Sequence, residues 1–347
     1  MASARARISD ALKGVIYFSG TLGLCRTVRG KSSGLILRYH SVGNADGAVP
    51  PYIDPSLCVP LHAFERQMRF LHEHYTPVSL DQVVAWIIGG HPIPPRAVAV
   101  TFDDGYQDNY SNAFPILKKY RIPATFYVTA GCVDADEVLW TSKLRYYFTA
   151  TRERSLRLRH PELKILDLSS EGTKNASFAY AISLIKTLGK GRGDEVFREI
   201  ESRLNVANMA PLKSAMMSWD DVREMSRAGM VIGAHTLTHP SLPGLPPEEA
   251  NAEIAGSKAL IEERIKVPVH HFAYPNGRGV SHFNAEVKEM VRKAGFRSSA
   301  TSIDGPVRPG DDPFALTRMG VYRRYSRISC LAVDLERTRL AGAGSRT

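Results

Sequence analysis

Six apolar or β-branched residues, Ala97–Phe102, lead directly into two adjacent carboxylates, Asp103 and Asp104. A run of this length, with Pro95 before it and Gly105 after it, predicts a strand buried on both faces. Bringing a carboxylate to the edge of a core costs free energy unless a metal ion, a cation or several hydrogen-bond donors receive it. The pair is therefore either a solvated turn or part of a functional site.

Strand-like and helix-like segments alternate along most of the chain. Buried strands are predicted at residues 35–40, 97–102, 124–129, 230–235, 270–274, 296–303 and 315–321. This alternation favours parallel β/α units, and we predict an α/β fold, a distorted seven-stranded (β/α) barrel. An open doubly wound sheet is the alternative, but the chain has no GxGxxG or GxxxxGK[ST] loop to support it.

The alternation breaks between residues 140 and 217, a polar and basic stretch. It is predicted to contain a hairpin around His160-Pro161 and two helices, at residues 176–188 and 194–204. We interpret 140–217 as a mainly helical insertion in a domain of residues 35–321, because the alternation resumes directly after it. The flanking regions, 1–34 and 322–347, are interpreted as an amphipathic basic arm and a basic tail.

The composition limits the classes of function. The formal net charge is +10, but the chain has no arginine-rich tract and no aromatic-basic pattern, so we expect no nucleic-acid partner. The four cysteines are far apart and form no CxxC pair, which predicts free thiols.

The N-terminal arm has a basic beginning and an apolar run from Gly14 to Cys25. This run is too short to span a bilayer, and no clear cleavage site follows it. We expect a helix that lies on the fold or makes peripheral contact with a membrane, and a cytoplasmic or membrane-associated protein at the cell envelope.

In a parallel barrel, the carboxyl ends of the strands meet at one mouth. There the sequence places His40, the aspartate pair and two histidines four residues apart, His235 and His239. Gly233 and Pro240 flank the histidines and favour a tight turn over a long helix. Two imidazoles and a carboxylate form the ligand set of a catalytic zinc site with a position left open for water. The second carboxylate can then act as a general base.

Three ordered motifs resemble those of the polysaccharide deacetylases, the NodB-homology domain of carbohydrate esterase family four. They are Thr101–Tyr106, His235-x-x-x-His239 and Phe272–Gly277. Shorter similarities extend over roughly residues 35–321, apart from the insertion. The resemblance implies a distorted seven-stranded barrel that hydrolyses an acetamide on a hexosamine, less often an O-acetyl ester. It also implies an acetylated glycan substrate and a divalent metal, expected to be Zn²⁺.

By this resemblance, Asp103 corresponds to the catalytic base, and Asp104, His235 and His239 correspond to the metal ligands. The oxyanion is expected to bind the metal and a backbone N–H of Gly105 or Tyr106. The remaining candidate substrate or oxyanion contacts are Tyr274, Pro275, Asn276 and Arg318.

The chain departs from the family pattern at two points. Many members carry an arginine in the third motif that orients the catalytic aspartate, but here the position is Ala273, and Asn276 replaces a common tyrosine. Many also use a late histidine as general acid, but no histidine follows His282. Arg318 stays protonated and cannot replace it. We expect the acid to be His40, as an imidazolium, with His282 as the second candidate.

Two other functions stay open. A catalytically silent member that binds glycans would explain the departures, although every type of metal ligand is present. A deacylase of a small non-sugar amide is the other, if the insertion restricts the site. The insertion also offers an aromatic cluster, either a platform for a sugar or ordinary core packing: Tyr146, Tyr147 and Phe148.

Overall fold

The computed structural model describes residues 4–20, 22, 33–44, 46–134, 138–159, 161–277, 279 and 282–340. Its strands are β1 (Leu35–Tyr39), β2 (Ser41–Val42), β3 (Cys58–Val59), β4 (Thr76–Pro77), β5 (Ala97–Phe102), β6 (Ala124–Val128), β7 (Ser155–Leu158), β8 (Lys164–Asp167), β9 (Val231–Ala234), β10 (His271–Ala273), β11 (Ser298–Ala300) and β12 (Met319–Gly320). Its α-helices are α1 (Ala4–Phe18), α2 (Leu61–His74), α3 (Leu80–Gly89), α4 (Phe114–Lys119), α5 (Trp140–Ala150), α6 (Glu171–Leu188), α7 (Lys190–Leu204), α8 (Trp219–Arg227), α9 (Pro247–Ile265), α10 (Ala285–Lys293) and α11 (Ile328–Leu340).

Seven parallel strands form a curled sheet in the spatial order β11-β10-β9-β6-β5-β1-β12, and β4 pairs with the start of β5. A parallel bridge between Ala300, in β11, and Leu316, just before β12, brings the two edges together. The predicted distorted seven-stranded (β/α) barrel is confirmed. All carboxyl ends of these strands therefore point to one mouth.

Strand β5 is buried along its whole length, as its apolar sequence predicts. Val98, Val100 and Phe102 belong to the main core between the sheet and the helices, whereas Ala97 and Ala99 belong to a second cluster with Tyr127 of β6. The two alanines are small and leave room in this cluster for the ring of Tyr127. Gly233 in β9 serves the same end, because a Cβ atom on it would lie 2.5 Å from the Tyr127 ring.

The insertion folds around a hydrophobic cluster of its own. The hairpin β7–β8 and the helices α6 and α7 match the predicted elements, but helix α5 was not predicted. The aromatic-platform alternative is wrong, because the three side chains of that cluster are buried. Tyr147 and Phe148 pack inside the insertion, and the Tyr146 hydroxyl donates to the backbone oxygen of Asn208 at 2.7 Å.

The two terminal regions pack against the barrel and each other. Helix α1 lies along α11, with Lys13 and Asp334 paired at 2.7 Å. The region predicted as a basic tail thus contains a helix whose Leu331 and Leu335 are buried in the main core. Four residues of the predicted apolar run to Cys25, at positions 21 and 23–25, lie outside the described residues. Within the described part of the chain, no helix is long and apolar enough to cross a membrane.

Candidate active site and metal centre

The two aspartates follow β5 at the barrel mouth, and both are buried. The backbone N–H of Asp103 continues the ladder by donating to the oxygen of Tyr39 at 3.0 Å. Asp104 then takes a left-handed backbone conformation, with φ of 82°, which an L-residue adopts only at a cost. This turn sends the two adjacent carboxylates to different partners, so the solvated-turn interpretation is wrong.

Asp104, His235 and His239 form a cluster whose potential ligand atoms all lie within 4.8 Å of one another. The Oδ1 atom of Asp104 lies 3.5 Å from Nε2 of His235 and 3.6 Å from Nε2 of His239. The three donor atoms surround a space that suits one divalent ion with an open position. The residues present therefore fit a catalytic divalent metal ion.

The protonation states also suit metal binding. The Nδ1–H of His235 donates to the backbone oxygen of Ala273 at 2.7 Å, which leaves the Nε2 lone pair facing Asp104. Burial, reinforced by His235, lowers the pKa of His239 to about 3, so its imidazole is neutral at pH 7. Burial alone would raise the pKa of Asp104, but its three histidine neighbours, His235 first and then His40 and His239, hold it well below its usual range.

The segment that carries both histidines is a turn rather than a helix, as Gly233 and Pro240 predicted. The backbone N–H groups of Ala130 and Gly131 donate to the oxygens of Thr236 and Leu237 at 3.0 and 2.9 Å. From the other side, the carboxylate of Glu253 accepts from the amides of Leu237 and Thr238 at 2.8 and 2.9 Å. These contacts hold the turn rigid. No local sequence signal points to Glu253, because its role depends on helix α9 packing beside the turn.

Arg318 holds Asp103 in a buried, bidentate ion pair, with Nη1–Oδ1 of 2.6 Å and Nη2–Oδ2 of 2.8 Å. Its Nε atom donates to the oxygen of Thr301, and its guanidinium carbon lies 5.4 Å from the centroid of the Tyr127 ring. Burial would raise the pKa of Asp103, but the charge of Arg318, aided by His235, outweighs it and lowers the pKa to about 2. The prediction of Arg318 as a substrate or oxyanion contact is therefore wrong: this arginine positions Asp103.

A pocket of about 320 Å³ opens above the cluster. Both the barrel and the insertion line it, the insertion through side chains of α5 and α6. Of the candidates from sequence, the pocket is lined by His40, Asp103, Asp104, Tyr106, His235, His239 and Asn276. The described residues that line the pocket do not include the other four candidates, Tyr274, Pro275, His282 and Arg318.

Tyr274 is a packing residue, and its prediction as a substrate contact is wrong. Its hydroxyl donates to the oxygen of Phe314 at 3.0 Å, and its ring stacks on Phe283 with centroids 4.8 Å apart. Pro275 is buried too. Asn276 does reach the pocket, where its Oδ1 accepts a hydrogen bond from Nζ of Lys186 in the insertion.

His40 lies in the pocket wall directly after β1. Its Nδ1 atom is buried and has no hydrogen-bond partner among the described residues. Burial lowers its pKa to about 4, against the opposing charge of Asp104, so the imidazole is neutral at pH 7. The expectation of a resident imidazolium at His40 is therefore wrong.

Tyr106 contributes a side chain and a backbone amide. Its hydroxyl lies 3.0 Å from Oγ of Ser142 in the insertion. Its backbone forms an antiparallel bridge with Met216. The two hydrogen bonds of that bridge run from Gln107 N to Ala215 O and from Met217 N to Gly105 O. The bridge thus leaves the Tyr106 amide unused, and its role as an oxyanion donor stays a prediction.

A barrel mouth that joins an Asp-His-His cluster to a second, arginine-held aspartate defines a hydrolase with a site suited to a metal ion. A family model described as polysaccharide deacetylase matches residues 90–299, more than half of the chain. The chain belongs to the polysaccharide deacetylase family. The matched span contains both aspartates, both histidines and the third motif, and the class of enzyme is a carbohydrate deacetylase.

Individual proteins show the same similarity. A putative polysaccharide deacetylase of Bacillus subtilis (strain 168), YxkH, is 23% identical over 287 residues, which are 82% of this chain and 70% of that protein. The poly-beta-1,6-N-acetyl-D-glucosamine N-deacetylase of Escherichia coli (strain K12) is 42% identical over 73 residues, which are 21% of this chain and only 11% of that protein.

Solved structures share the fold. The Streptococcus pyogenes deacetylase PplD in complex with acetate has a TM-score of 0.58 at 19% identity and covers 89% of this chain and 99% of that one. IcaB from Ammonifex degensii has a TM-score of 0.56 at 21% identity and covers 88% of this chain and 98% of that one. At these identities the likeness shows the barrel fold.

Proposed function

We propose that this chain is a Zn²⁺-dependent enzyme that removes the acetyl group from the amide nitrogen of an N-acetylhexosamine in a glycan. One observation carries the proposal: Asp104, His235 and His239 converge at the floor of a pocket beside Asp103. Family membership supplies the reaction class. The matched E. coli enzyme acts by name on poly-beta-1,6-N-acetyl-D-glucosamine, so we propose this polymer as the first glycan to test.

Asp104, His235 and His239 would hold the ion. When bound, a divalent metal polarises the acetyl carbonyl and makes a water molecule more acidic. Asp103 accepts a proton from the attacking water. Since Arg318 keeps this carboxylate ionised and fixes both of its oxygens, Asp103 is available as a base and cannot turn away.

The carbonyl oxygen becomes negatively charged as water attacks. The Tyr106 amide faces no partner in its own bridge and is the donor that we assign to this charge. Such a donor is preorganised, because the bridge to Met216 and the hydroxyl contact with Ser142 fix Tyr106 on both sides.

The amine must be protonated as it leaves. We assign this step to His40, whose side chain lines the pocket and whose Nδ1 has no hydrogen-bond partner among the described residues. Because the imidazole starts neutral, it must first receive the proton that Asp103 takes from water. In this scheme Asp103 and His40 pass one proton from water to the amine and end in their starting states.

The test is acetate release from poly-β-1,6-N-acetylglucosamine and from N-acetylglucosamine oligomers. The purified chain is assayed after chelation and again after addition of Zn²⁺. We expect little activity without metal and recovery on adding Zn²⁺. Full activity in the chelated protein, with no bound metal by elemental analysis, would contradict the proposal.

A silent glycan-binding role loses its main support. It rested partly on the missing arginine of the third motif, and Arg318 supplies the corresponding charge to Asp103 from another segment. An active enzyme is therefore compatible with the missing arginine of the third motif. It is also compatible with the missing late histidine when His40 provides the acid.

A further inference from the structure

The part of the chain that the structure describes contains four buried arginines: Arg38, Arg145, Arg318 and Arg339. Two of them are paired with buried carboxylates, Arg318 with Asp103 and Arg339 with Glu336. The other two, Arg38 and Arg145, have no carboxylate partner among the described residues. A buried charge without a counter-charge is unfavourable, so the exceptions require an explanation.

Arg38 lies in β1, two residues before His40. Its Nη1 donates to Oγ of Ser302 at 2.6 Å and its Nη2 donates to the hydroxyl of Tyr322 at 2.7 Å. Its Nε has no partner in the described part of the chain. All of its hydrogen bonds therefore go to neutral groups, and Asp103 and Asp304 act on it only through space.

Arg145 lies in helix α5 of the insertion. Its Nη1 donates to Oδ1 of Asn175 at 2.6 Å, and its guanidinium carbon lies 5.2 Å from the centroid of the Phe178 ring. Its Nε also lacks a partner among the described side chains. Asp54 and Glu171 act on it only through space. A neutral amide and a ring face thus hold this cation in a fixed orientation.

Both guanidinium groups line the pocket above the cluster of Asp104, His235 and His239. The carboxylates of the same pocket are Asp54, Asp103 and Asp104. Asp103 is already matched by Arg318, and Asp104 belongs to the metal cluster. A divalent metal would add further positive charge. Asp54 is then the one carboxylate of the pocket left to face the two guanidinium groups, so their positive charge exceeds the negative charge available to them there.

We propose that the substrate carries an anionic group, a carboxylate or a phosphate, close to the acetylated sugar, and that Arg38 and Arg145 bind it. This inference rests on the proposed function and narrows its substrate class to anionic glycans. A planar guanidinium with free N–H groups matches two oxygens of a carboxylate or phosphate. Arg145 belongs to the insertion, so the insertion would act as the specificity element of this chain.

The test compares matched neutral and anionic probes in calorimetric binding to the full chain, with and without added Zn²⁺. One arm uses N-acetylglucosamine and N-acetylglucosamine 6-phosphate. The other uses a disaccharide of N-acetylglucosamine with glucose and its counterpart with glucuronic acid. The two arms distinguish a phosphate from a carboxylate. The variants are Arg38→Met, Arg145→Met and Arg145→Lys, with Arg203→Met as the matched control. Arg203 lies in α7 of the same insertion and does not line the pocket.

We expect the unsubstituted chain to bind at least one anionic probe about tenfold more tightly than its neutral match. Arg38→Met and Arg145→Met should each remove most of this preference, Arg145→Lys should retain part of it, and Arg203→Met should retain all of it. If Arg145→Met does not fold, as judged by circular dichroism, Lys186→Met takes its place, because Lys186 is only half-buried.

Equal binding of neutral and anionic probes, or a preference that survives the substitutions, would overturn the inference. The acetate-release assay described above, run on the same probes, separates the two proposals. Deacetylation of neutral oligomers without any preference for anionic ones would refute this inference alone. No Zn²⁺-dependent deacetylation of any probe would refute the proposed function.

Discussion

Arg318 and Asp103 lie 215 residues apart in the sequence and form a buried bidentate ion pair in the barrel interior. Arg318 precedes β12, which pairs with β1, and β1 in turn pairs with β5, the strand that Asp103 directly follows. The arginine also binds the oxygen of Thr301 after β11. It therefore links both edges of the sheet to the proposed catalytic base.

Arg318→Met should lower both stability and activity. Removing one partner of a buried pair costs about 3–5 kcal/mol, because the other charge stays buried. We also expect kcat to fall by about 10² or more, since Asp103 loses its fixed orientation. Arg318→Lys should recover more of the stability than of kcat, because lysine restores the charge without the bidentate geometry.

The control for this experiment is Arg339→Met. It breaks another buried arginine–carboxylate pair, with Glu336, inside the C-terminal helix. It should lower the melting temperature while leaving kcat close to the original value. If both variants lost kcat in proportion to their loss of stability, Arg318 would have only a structural role.

His235→Ala and His239→Ala should each lose bound metal together with activity, because two remaining ligands hold an ion poorly. His271→Gln is the matched control. This buried histidine starts β10 and bonds Ser298 and Asp81 at 2.9 and 3.0 Å. Elemental analysis after dialysis is the measurement, and stoichiometric metal in either alanine variant would show the ligand assignment to be wrong.

His40→Gln should slow amide substrates far more than activated acetyl esters. An amine is a poor leaving group unless it is protonated, whereas an activated ester leaves without help. The expected loss of kcat/KM on the amide is about 10²-fold, the lower end of the range for general acid–base catalysis. An equal loss on both substrates would make His40 a structural or substrate-contact residue.

Asp108 should make the fold less stable as the pH rises. Its buried carboxyl accepts from Oγ of Ser41, the amide of Val42 and Nδ2 of Asn109, at 2.5, 3.1 and 2.9 Å. Burial nevertheless raises its pKa to about 7, well above the value of about 3.9 in an unfolded chain. Between these values the folded state binds more protons than the unfolded state, so stability is present at low pH and is lost as the pH rises through 7.

The measurement is the free energy of unfolding at pH 5 and pH 8, for the original chain and for Asp108→Asn. Tyr52 and Cys58 face the same carboxyl, but burial raises the pKa of both, so they stay neutral over this window. The original chain should lose more stability on going to pH 8 than the variant does. Identical pH dependence in both would show that Asp108 ionises normally in the fold.

The sequence predicted the elements that depend on local pattern. The apolar run before Asp103 and the flanking Gly233 and Pro240 specified a buried strand and a turn, and the structure contains both. The convergence of Asp104, His235 and His239 followed from strand ends that share one mouth. These features could be predicted because period, turn residues and barrel geometry determine them.

Features that depend on strand order could not be predicted in this way. Arg318 was interpreted as a substrate contact, because nothing local shows that β12 lies beside β1. The only available signal was the missing arginine at Ala273, which left the charge of Asp103 without an assigned partner. The helix at residues 328–340 was likewise interpreted as part of a tail, since its burial arises from packing on the barrel.

The central claim is that adjacent aspartates have separate roles, Asp103 as the base and Asp104 as a metal ligand. The direct test measures zinc content and acetate release side by side for Asp103→Asn and Asp104→Asn. Asp103→Asn should keep stoichiometric zinc and lose about 10²–10⁴ in turnover. Asp104→Asn should bind zinc 10–100-fold more weakly or worse, and should regain part of its activity at high zinc concentration. Loss of zinc from Asp103→Asn, with zinc retained in Asp104→Asn, would contradict the account.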